Sequence, residues 1–162
     1  MYNVRICRVG QFTNRRMIKN YTSNSKQTFD IIQKTLASHG AKQVFFDYDS
    51  NGQVKALAFS LEIQGKLFAF KLPARVDKVE KLFQKKDRWG DLIALSEDQK
   101  AQAYRTAWAN IRDWITSQMA LIETEQVKME EVFLPYMYIN KEQTLFEQMD
   151  NNQMLLPERS QT

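Results

Sequence analysis

The stretch VFFDYDSNGQVKALAFSLEIQGKLFAFKLP, residues 44–73, decides the fold. Apolar side chains recur at every second position in its second part: Leu57, Phe59, Leu61, Ile63, then Phe68, Phe70 and Leu72. A period of two is typical of a strand with one buried and one open face. We therefore predict three antiparallel strands, over residues 44–48, 54–63 and 66–72, with Pro73 ending the third.

The first turn of this stretch resembles half of a calcium loop. Asp47, Asp49 and Asn51 followed by Gly52 reproduce D-x-D-x-N-G. An EF-hand also needs a bidentate Glu at loop position twelve, where this chain has Ala58, and it needs helices on both sides rather than strands. We interpret the segment as a hairpin turn in which Gly52 supplies a positive φ. No metal and no cofactor is expected.

Helical periodicity surrounds the strands. Phe29, Ile32 and Leu36 predict a helix over residues 25–38, and a second helix is predicted over 76–83. Ser96 with Gln99 fits a capping box, from which a long amphipathic helix should run to about residue 122. A short helix is predicted around residues 141–149. The fold class is α+β: a helix, a three-stranded antiparallel meander, then helices including the long one, packed on one sheet face.

The domain organisation follows from length and local composition. A chain of 162 residues is long enough for one core, and we assign a single domain to residues 23–150. Residues 1–22 are a basic segment whose weak alternation suggests a short edge strand. Residues 151–162 form a polar tail. One cysteine, Cys7, cannot make an internal disulfide, and no apolar run of about 18 residues exists, so we expect a cytoplasmic protein.

Catalytic motifs are missing from the sequence. It contains no G-x-x-x-x-G-K-[ST], no G-x-G-x-x-G, no C-x-x-C and no H-x-x-x-H, with one His and one Cys in total. We therefore expect a protein that is not an enzyme. A carboxylate site for magnesium stays open as a minor alternative if four acids converge in space: Asp47, Asp49, Glu62 and Asp77.

Charge is distributed unevenly along the chain. Residues 1–100 hold 18 Lys and Arg against 10 Asp and Glu, a net of +8, while residues 101–162 hold 5 against 9, a net of −4. Phosphate contacts dominate nucleic-acid affinity, so the basic half predicts a DNA- or RNA-binding surface. The candidate residues are Arg15, Arg16, Lys19, Lys78, Lys81, Lys85, Lys86, Arg88 and Trp89.

Two alternatives remain open at this candidate surface. Lys78, Lys81 and Lys85 share one helical face, but Asp77 and Glu80 interleave with the basic residues of 75–86, as on an ordinary solvated helix. Trp89, in a basic loop, is either a platform on which a base stacks or a buried anchor of that loop.

One segment carries a family resemblance. QAYRTAWANIRDWITSQMALIETEQVKMEEVFLPYM, residues 102–137, contains A-W-x-x-I-x-D-W at 107–114 and F-L-P-Y at 133–136. It resembles the C-terminal part of a family of small proteins encoded in phages, prophages and bacterial mobile elements. YTSNSKQTFDIIQKTLASHGA, residues 21–41, and FKLP, residues 70–73, are similar to it as well. The resemblance implies DNA handling or interference with host machinery, and carries over no catalytic or binding residue.

The C-terminal third supports an alternative function. It is acidic and contains the apolar run VFLPYMYI, residues 132–139. This run either completes the core or docks a protein partner, and the second reading predicts a protein-interaction module, an inhibitor or accessory subunit. Its candidate contact residues are Phe133, Leu134, Tyr136 and Tyr138.

Overall fold

The computed structural model describes residues 25–140 and 143–151. Its elements in chain order are α1 (Ser25–Ser38), β1 (Ala41–Tyr48), β2 (Val54–Ile63), β3 (Lys66–Pro73), α2 (Val76–Phe83), α3 (Glu97–Glu123), α4 (Met129–Phe133), a 3-10 turn (Leu134–Tyr136) and α5 (Leu145–Asn151). The predicted edge strand in residues 1–22 and most of the predicted tail lie outside the described residues, so the division into one domain with two flanking segments stays a prediction.

The three strands form an antiparallel sheet in the order β1-β2-β3, as predicted. β2 and β3 are joined by a tight turn in which Gln64 and Gly65 have φ values of 51° and 75°. β1 starts at Ala41, earlier than the predicted residue 44, because the ten-residue β2 offers Leu61 as its pairing partner beyond a bulge. Strand length was thus decided by the neighbouring strand.

Helices cover one face of the sheet, which confirms the predicted α+β class. The core joins Leu57 and Phe59 of the sheet to Ile32 of α1 and Trp108 of α3, all of them buried. Phe59 stacks on Phe70 across the β2–β3 pair, with ring centroids 5.3 Å apart. The opposite face leaves large apolar side chains of the outer strands exposed, among them Phe45 and Leu67.

The long helix α3 begins where the capping box predicts. The Ser96 hydroxyl accepts the Gln99 backbone N–H and the Gln99 side chain accepts the Ser96 N–H, at 3.3 and 2.9 Å. Two side chains of α3 then attach it to the start of β2: Tyr104 Oη accepts the Val54 N–H, and Trp108 Nε1 donates to the Val54 carbonyl, at 3.1 and 3.2 Å. Among the described helices, none is both long and apolar enough to cross a membrane.

The C-terminal part differs from the prediction. The last helix occupies Leu145–Asn151 rather than 141–149, because Thr144 and Glu147 form a reciprocal cap at its start. The short helix α4 and the 3-10 turn that follows it were not predicted. The chain then returns to the sheet, where the Tyr138 N–H donates to the Ala69 carbonyl at 2.8 Å. This segment therefore covers part of the β3 edge.

Candidate nucleic-acid interface

Residues 85–93, called the Trp89 hairpin below, form a small hydrogen-bonded loop after α2. The Asp87 N–H donates to the Asp91 carbonyl and the Ile93 N–H donates to the Lys85 carbonyl, both at 2.8 Å. Lys86 and Leu92 face each other as an antiparallel bridge between these bonds. The loop at the end of α2 therefore has a defined backbone.

The tip of the Trp89 hairpin repeats the turn between β1 and β2. Asp87 Oδ1 accepts the N–H groups of Trp89 and Asp91 at 2.8 and 2.9 Å. Asp49 Oδ1 accepts those of Asn51 and Gln53 at the same two distances, 2.8 and 2.9 Å. Each turn has a glycine with positive φ at the fourth position. The turn prediction for residues 49–52 is confirmed.

Trp89 projects from this turn into solvent. Its side chain is 79% exposed, so the reading of Trp89 as a buried anchor is wrong. The Arg88 guanidinium carbon lies 5.6 Å from the centre of the indole ring, within cation–π range. Leu92 and Ile93, which sequence reasoning did not select, are also exposed on the hairpin. The result is an aromatic platform held by backbone hydrogen bonds and flanked by a cation.

The charges of α2 separate onto two sides of the helix. Arg75 and Lys78 line a cleft towards α3 and the 3-10 turn. Asp77 and Glu80 line a different cleft, shared with the Asp49 turn. Residues adjacent in sequence thus point apart by the rotation of about 100° per residue in a helix. Arg75 and Lys78 are thus separated from Asp77 and Glu80. Lys81, however, lies one helical turn after Asp77, and Lys85 lies beyond the end of α2, so the prediction that Lys78, Lys81 and Lys85 share one helical face is wrong.

The predicted basic side chains that the structure describes are solvent-exposed. Lys78, Lys81, Lys85, Lys86 and Arg88 all lie on α2 or on the Trp89 hairpin. Within residues 25–140 and 143–151, no ion pair involves any of them. Their charges are therefore available to a ligand. Arg15, Arg16 and Lys19 lie outside the described residues, so their contribution stays a prediction.

The four acids considered for magnesium do not converge. Asp47 pairs with Lys55 at 3.4 Å, whereas Glu62 pairs with Lys42 at 3.5 Å. Asp49 and Asp77 share one cleft, which Lys55 and Lys100 also line. In the part of the chain that the structure describes, no three His, Cys, Asp or Glu side chains are grouped to hold a metal ion.

The candidate partner-binding residues divide between core and surface. Phe133 is fully buried and packs edge-on against Phe59 and Trp114, so it does not belong to an accessible surface. The periodicity of a one-turn helix is too short to have revealed this. Leu134 is exposed, while Tyr136 and Tyr138 are partly buried. Burial raises the pKa of the Tyr138 phenol, and the carboxylates of Asp47 and Glu147 add to this.

Comparisons with protein-family models, with curated proteins and with solved structures gave no match. The family resemblance of residues 102–137 therefore stays a prediction.

Proposed function

We propose that this chain binds nucleic acid without catalysing a reaction, through the Trp89 hairpin and the outer face of α2. The observation that carries the proposal is Trp89 itself, 79% exposed on a turn whose backbone is fixed by the Asp87 carboxylate. A large apolar ring is costly to expose, and a basic flank with a stacking platform is the arrangement that single-strand binders use.

Stacking is expected to contribute more than charge at the hairpin. Lys85, Lys86 and Arg88 are offset there by Asp87 and Asp91. The Asp87 carboxylate is turned towards the turn's own amides, whereas the cations are exposed. A base stacked on an aromatic side chain contributes about 1–3 kcal/mol. The cations of α2, Lys78 and Lys81, extend the phosphate-contacting surface from the hairpin along the helix.

The mobile-element context is part of the proposal. It is supported by the A-W-x-x-I-x-D-W and F-L-P-Y elements of the sequence at 107–114 and 133–136. The cytoplasm, where such a protein would meet DNA or RNA, is the compartment that this context implies.

The test is fluorescence anisotropy with labelled single-stranded DNA, duplex DNA and duplex RNA over a salt series. We expect Trp89→Ala to weaken binding by roughly 5- to 150-fold, the equivalent of one lost stacking contact. The matched control is Phe45→Ala, which removes another exposed aromatic ring, on β1. Absence of binding by the parent protein at low salt, or equal losses in both variants, would refute the proposal.

Charge reversal separates the phosphate contacts from stacking. Replacing Lys78, Lys81, Lys85 and Arg88 by Glu should weaken binding and flatten the salt dependence by about 0.7 in log–log slope per lost phosphate on a single strand. Reversal of Lys34 and Lys66, exposed on α1 and at the β2–β3 turn, is the control and should change the slope little. Unchanged affinity in the first variant would remove α2 from the interface.

A second candidate function is a protein-interaction module, and one observation favours it. Four large apolar side chains near the C-terminal end are 44–49% exposed: Leu134, Ile139, Phe146 and Met149. Truncation from residue 138 would remove the Tyr138 bond to β3, so point variants are the better test. If a partner docks here, Leu134→Ser with Ile139→Ser should abolish its capture from a lysate while the far-UV circular dichroism stays unchanged. Retained capture would contradict this candidate.

A further inference from the structure

A second cleft, called the aromatic cleft below, lies beside the proposed interface. It has a volume of about 540 Å³ and sits between α2, α3, the 3-10 turn and α5. The side chains that matter for its chemistry are Arg75, Lys78, Asn110, Trp114, Tyr136 and Phe146. Sites for small organic molecules span roughly 300–1,000 Å³, so its size suits a group as large as one nucleotide.

The lining of the aromatic cleft has a one-sided charge. Arg75 and Lys78 are its two cations, and no described carboxylate lines it. Within residues 25–140 and 143–151, neither cation forms an ion pair. Asn110 adds an amide, which both donates and accepts hydrogen bonds as a base edge requires. The cleft is therefore complementary to a planar group that carries a negative charge.

The core holds Trp114 in place in the wall of the aromatic cleft. Trp114 contacts Tyr136 edge-on at 5.5 Å between centroids and contacts the buried Phe133 at 5.7 Å. Trp114 is therefore held from behind by a side chain that solvent does not reach. Phe146, 49% exposed, stands on the short helix α5 at the mouth of the cleft. An aromatic wall fixed in advance loses little side-chain entropy when a ring stacks on it.

We propose that the aromatic cleft receives one nucleotide of a single-stranded nucleic acid, with its base against Trp114, Tyr136 and Phe146 and its phosphate on Arg75 and Lys78. This inference rests on the proposed function and deepens it, because it selects single strands over duplexes. A base in a duplex is stacked and paired, and extracting it costs a few kcal/mol. A base in a single strand enters the cleft without that cost.

The position of the cleft relative to the Trp89 hairpin supports the same ligand. Lys78 belongs to both surfaces, since it lines the cleft and lies on the basic side of α2. The eight residues of α2 correspond to a length of about 12 Å. That length matches about three or four phosphates at the 3.4 Å spacing of a stacked strand. On this proposal, a strand that runs along α2 places one base in the cleft and a later base on Trp89.

The experiment measures the ratio of single-strand to duplex affinity for the full chain. The probe is a fluorescein-labelled oligonucleotide of 12 nucleotides, free and annealed to its complement. Phe146→Ala, and separately Arg75→Gln, should weaken single-strand binding at least 5-fold and leave duplex binding unchanged, whereas Phe45→Ala should change neither. Equal effects on both forms, or none on either, would overturn the inference.

The variants distinguish a wrong cleft assignment from a wrong proposed function. If Trp89→Ala weakens binding and the two cleft variants do not, the hairpin binds nucleic acid and only the cleft assignment is wrong. If the parent protein binds neither oligonucleotide at low salt, the proposed function itself fails.

Photo-crosslinking of the parent protein supplies a measurement that no variant's folding can affect. A 5-bromouracil-substituted single strand should crosslink to Trp114, Tyr136 or Phe146, as located by peptide mass spectrometry. Crosslinks confined to Trp89, or spread over lysine-rich peptides elsewhere, would overturn the cleft assignment.

Discussion

At the residue scale, Asp49 and Asp87 make the same contacts in different surroundings. Each accepts two backbone N–H groups of a D-x-x-G turn through one carboxylate oxygen. The Asp49 turn connects two strands of the core sheet, while the Asp87 turn supports an exposed loop that carries Trp89. The same contacts should therefore stabilise the fold in one case and the proposed binding surface in the other.

A matched pair of variants tests this difference. Asp49→Ala should lower the free energy of unfolding by about 1–2 kcal/mol, since two amides lose a charged acceptor next to the β1–β2 pairing. Asp87→Ala should change it by less than about 0.5 kcal/mol, as for a surface loop, but should weaken nucleic-acid binding several-fold because Trp89 loses its fixed position. Urea denaturation and anisotropy measure the two quantities. Equal stability losses would show that the Trp89 hairpin is integral to the core.

The residue scale is also where sequence reasoning was least complete. The DSNG turn at 49–52 is predicted from its polar side chains and Gly52 between two strands, whereas DRWG at 87–90 forms the same bonds without a strand on either side to mark it. Nothing in the sequence decides whether Trp89 is exposed, because exposure depends on which elements pack around the loop. Phe133 shows the opposite outcome. Its apolar run is equally consistent with a buried core segment and with an exposed docking surface, and the packing of Phe133 against Phe59 shows that it is buried.

At the element scale, the connection between α3 and β2 runs through Val54. Tyr104 accepts its N–H and Trp108 donates to its carbonyl, next to the irregular pairing between β1 and β2. Tyr104→Phe should leave the Val54 N–H without its acceptor and cost about 1–2 kcal/mol of unfolding free energy in urea titrations near neutral pH. Phe45→Leu, at an exposed position of β1, is the control, and an equally large loss in that variant would contradict a specific role for Tyr104.

Alkaline pH provides an independent reading of the same contact. Burial is the main cause that raises the pKa of the Tyr104 phenol above its usual value near 10. As the pH rises above 10, the unfolded chain loses the Tyr104 proton before the folded chain does. The stabilisation that Tyr104 provides is therefore complete below the pKa of the unfolded chain, and it is lost as the pH rises through the pKa of the folded chain. The stability difference between parent and Tyr104→Phe should therefore shrink above pH 10. A constant difference up to pH 11 would show that Tyr104 titrates normally.

Element boundaries were predictable where local chemistry determines them. Ser96 and Gln99 set the start of α3, and α2 matched its predicted range. The cap of Thr144 with Glu147 is also readable as a T-x-x-E capping box, and it would place the start of the last helix correctly. The start of β1 was not readable locally because its partner strand determines it. The aromatic cleft is beyond local reasoning, because its lining comes from residues 72–146.

At the scale of the whole molecule, charge and core are organised differently. Charge varies along the chain, with basic side chains on α2 and the Trp89 hairpin and acidic ones beyond residue 100. The core, in contrast, is a single cluster: buried side chains of α1, β2, β3, α3 and α4 join in it, and partly buried side chains of β1 pack against it. The described elements that contribute to this core should therefore unfold together.

Phe133→Ala is the sharpest test of that single core. The ring lies within 6 Å, between centroids, of Phe59, Phe70 and Trp114. Its removal should cost about 3–5 kcal/mol. Because α4 shares the core with α1 and the sheet, unfolding followed by tryptophan fluorescence and by far-UV circular dichroism should coincide in the parent. Trp89→Phe removes the exposed reporter and leaves Trp108 and Trp114 to report on the core. Separate transitions, or a loss below about 1 kcal/mol, would mean that residues 129–151 form a unit that opens independently of the sheet.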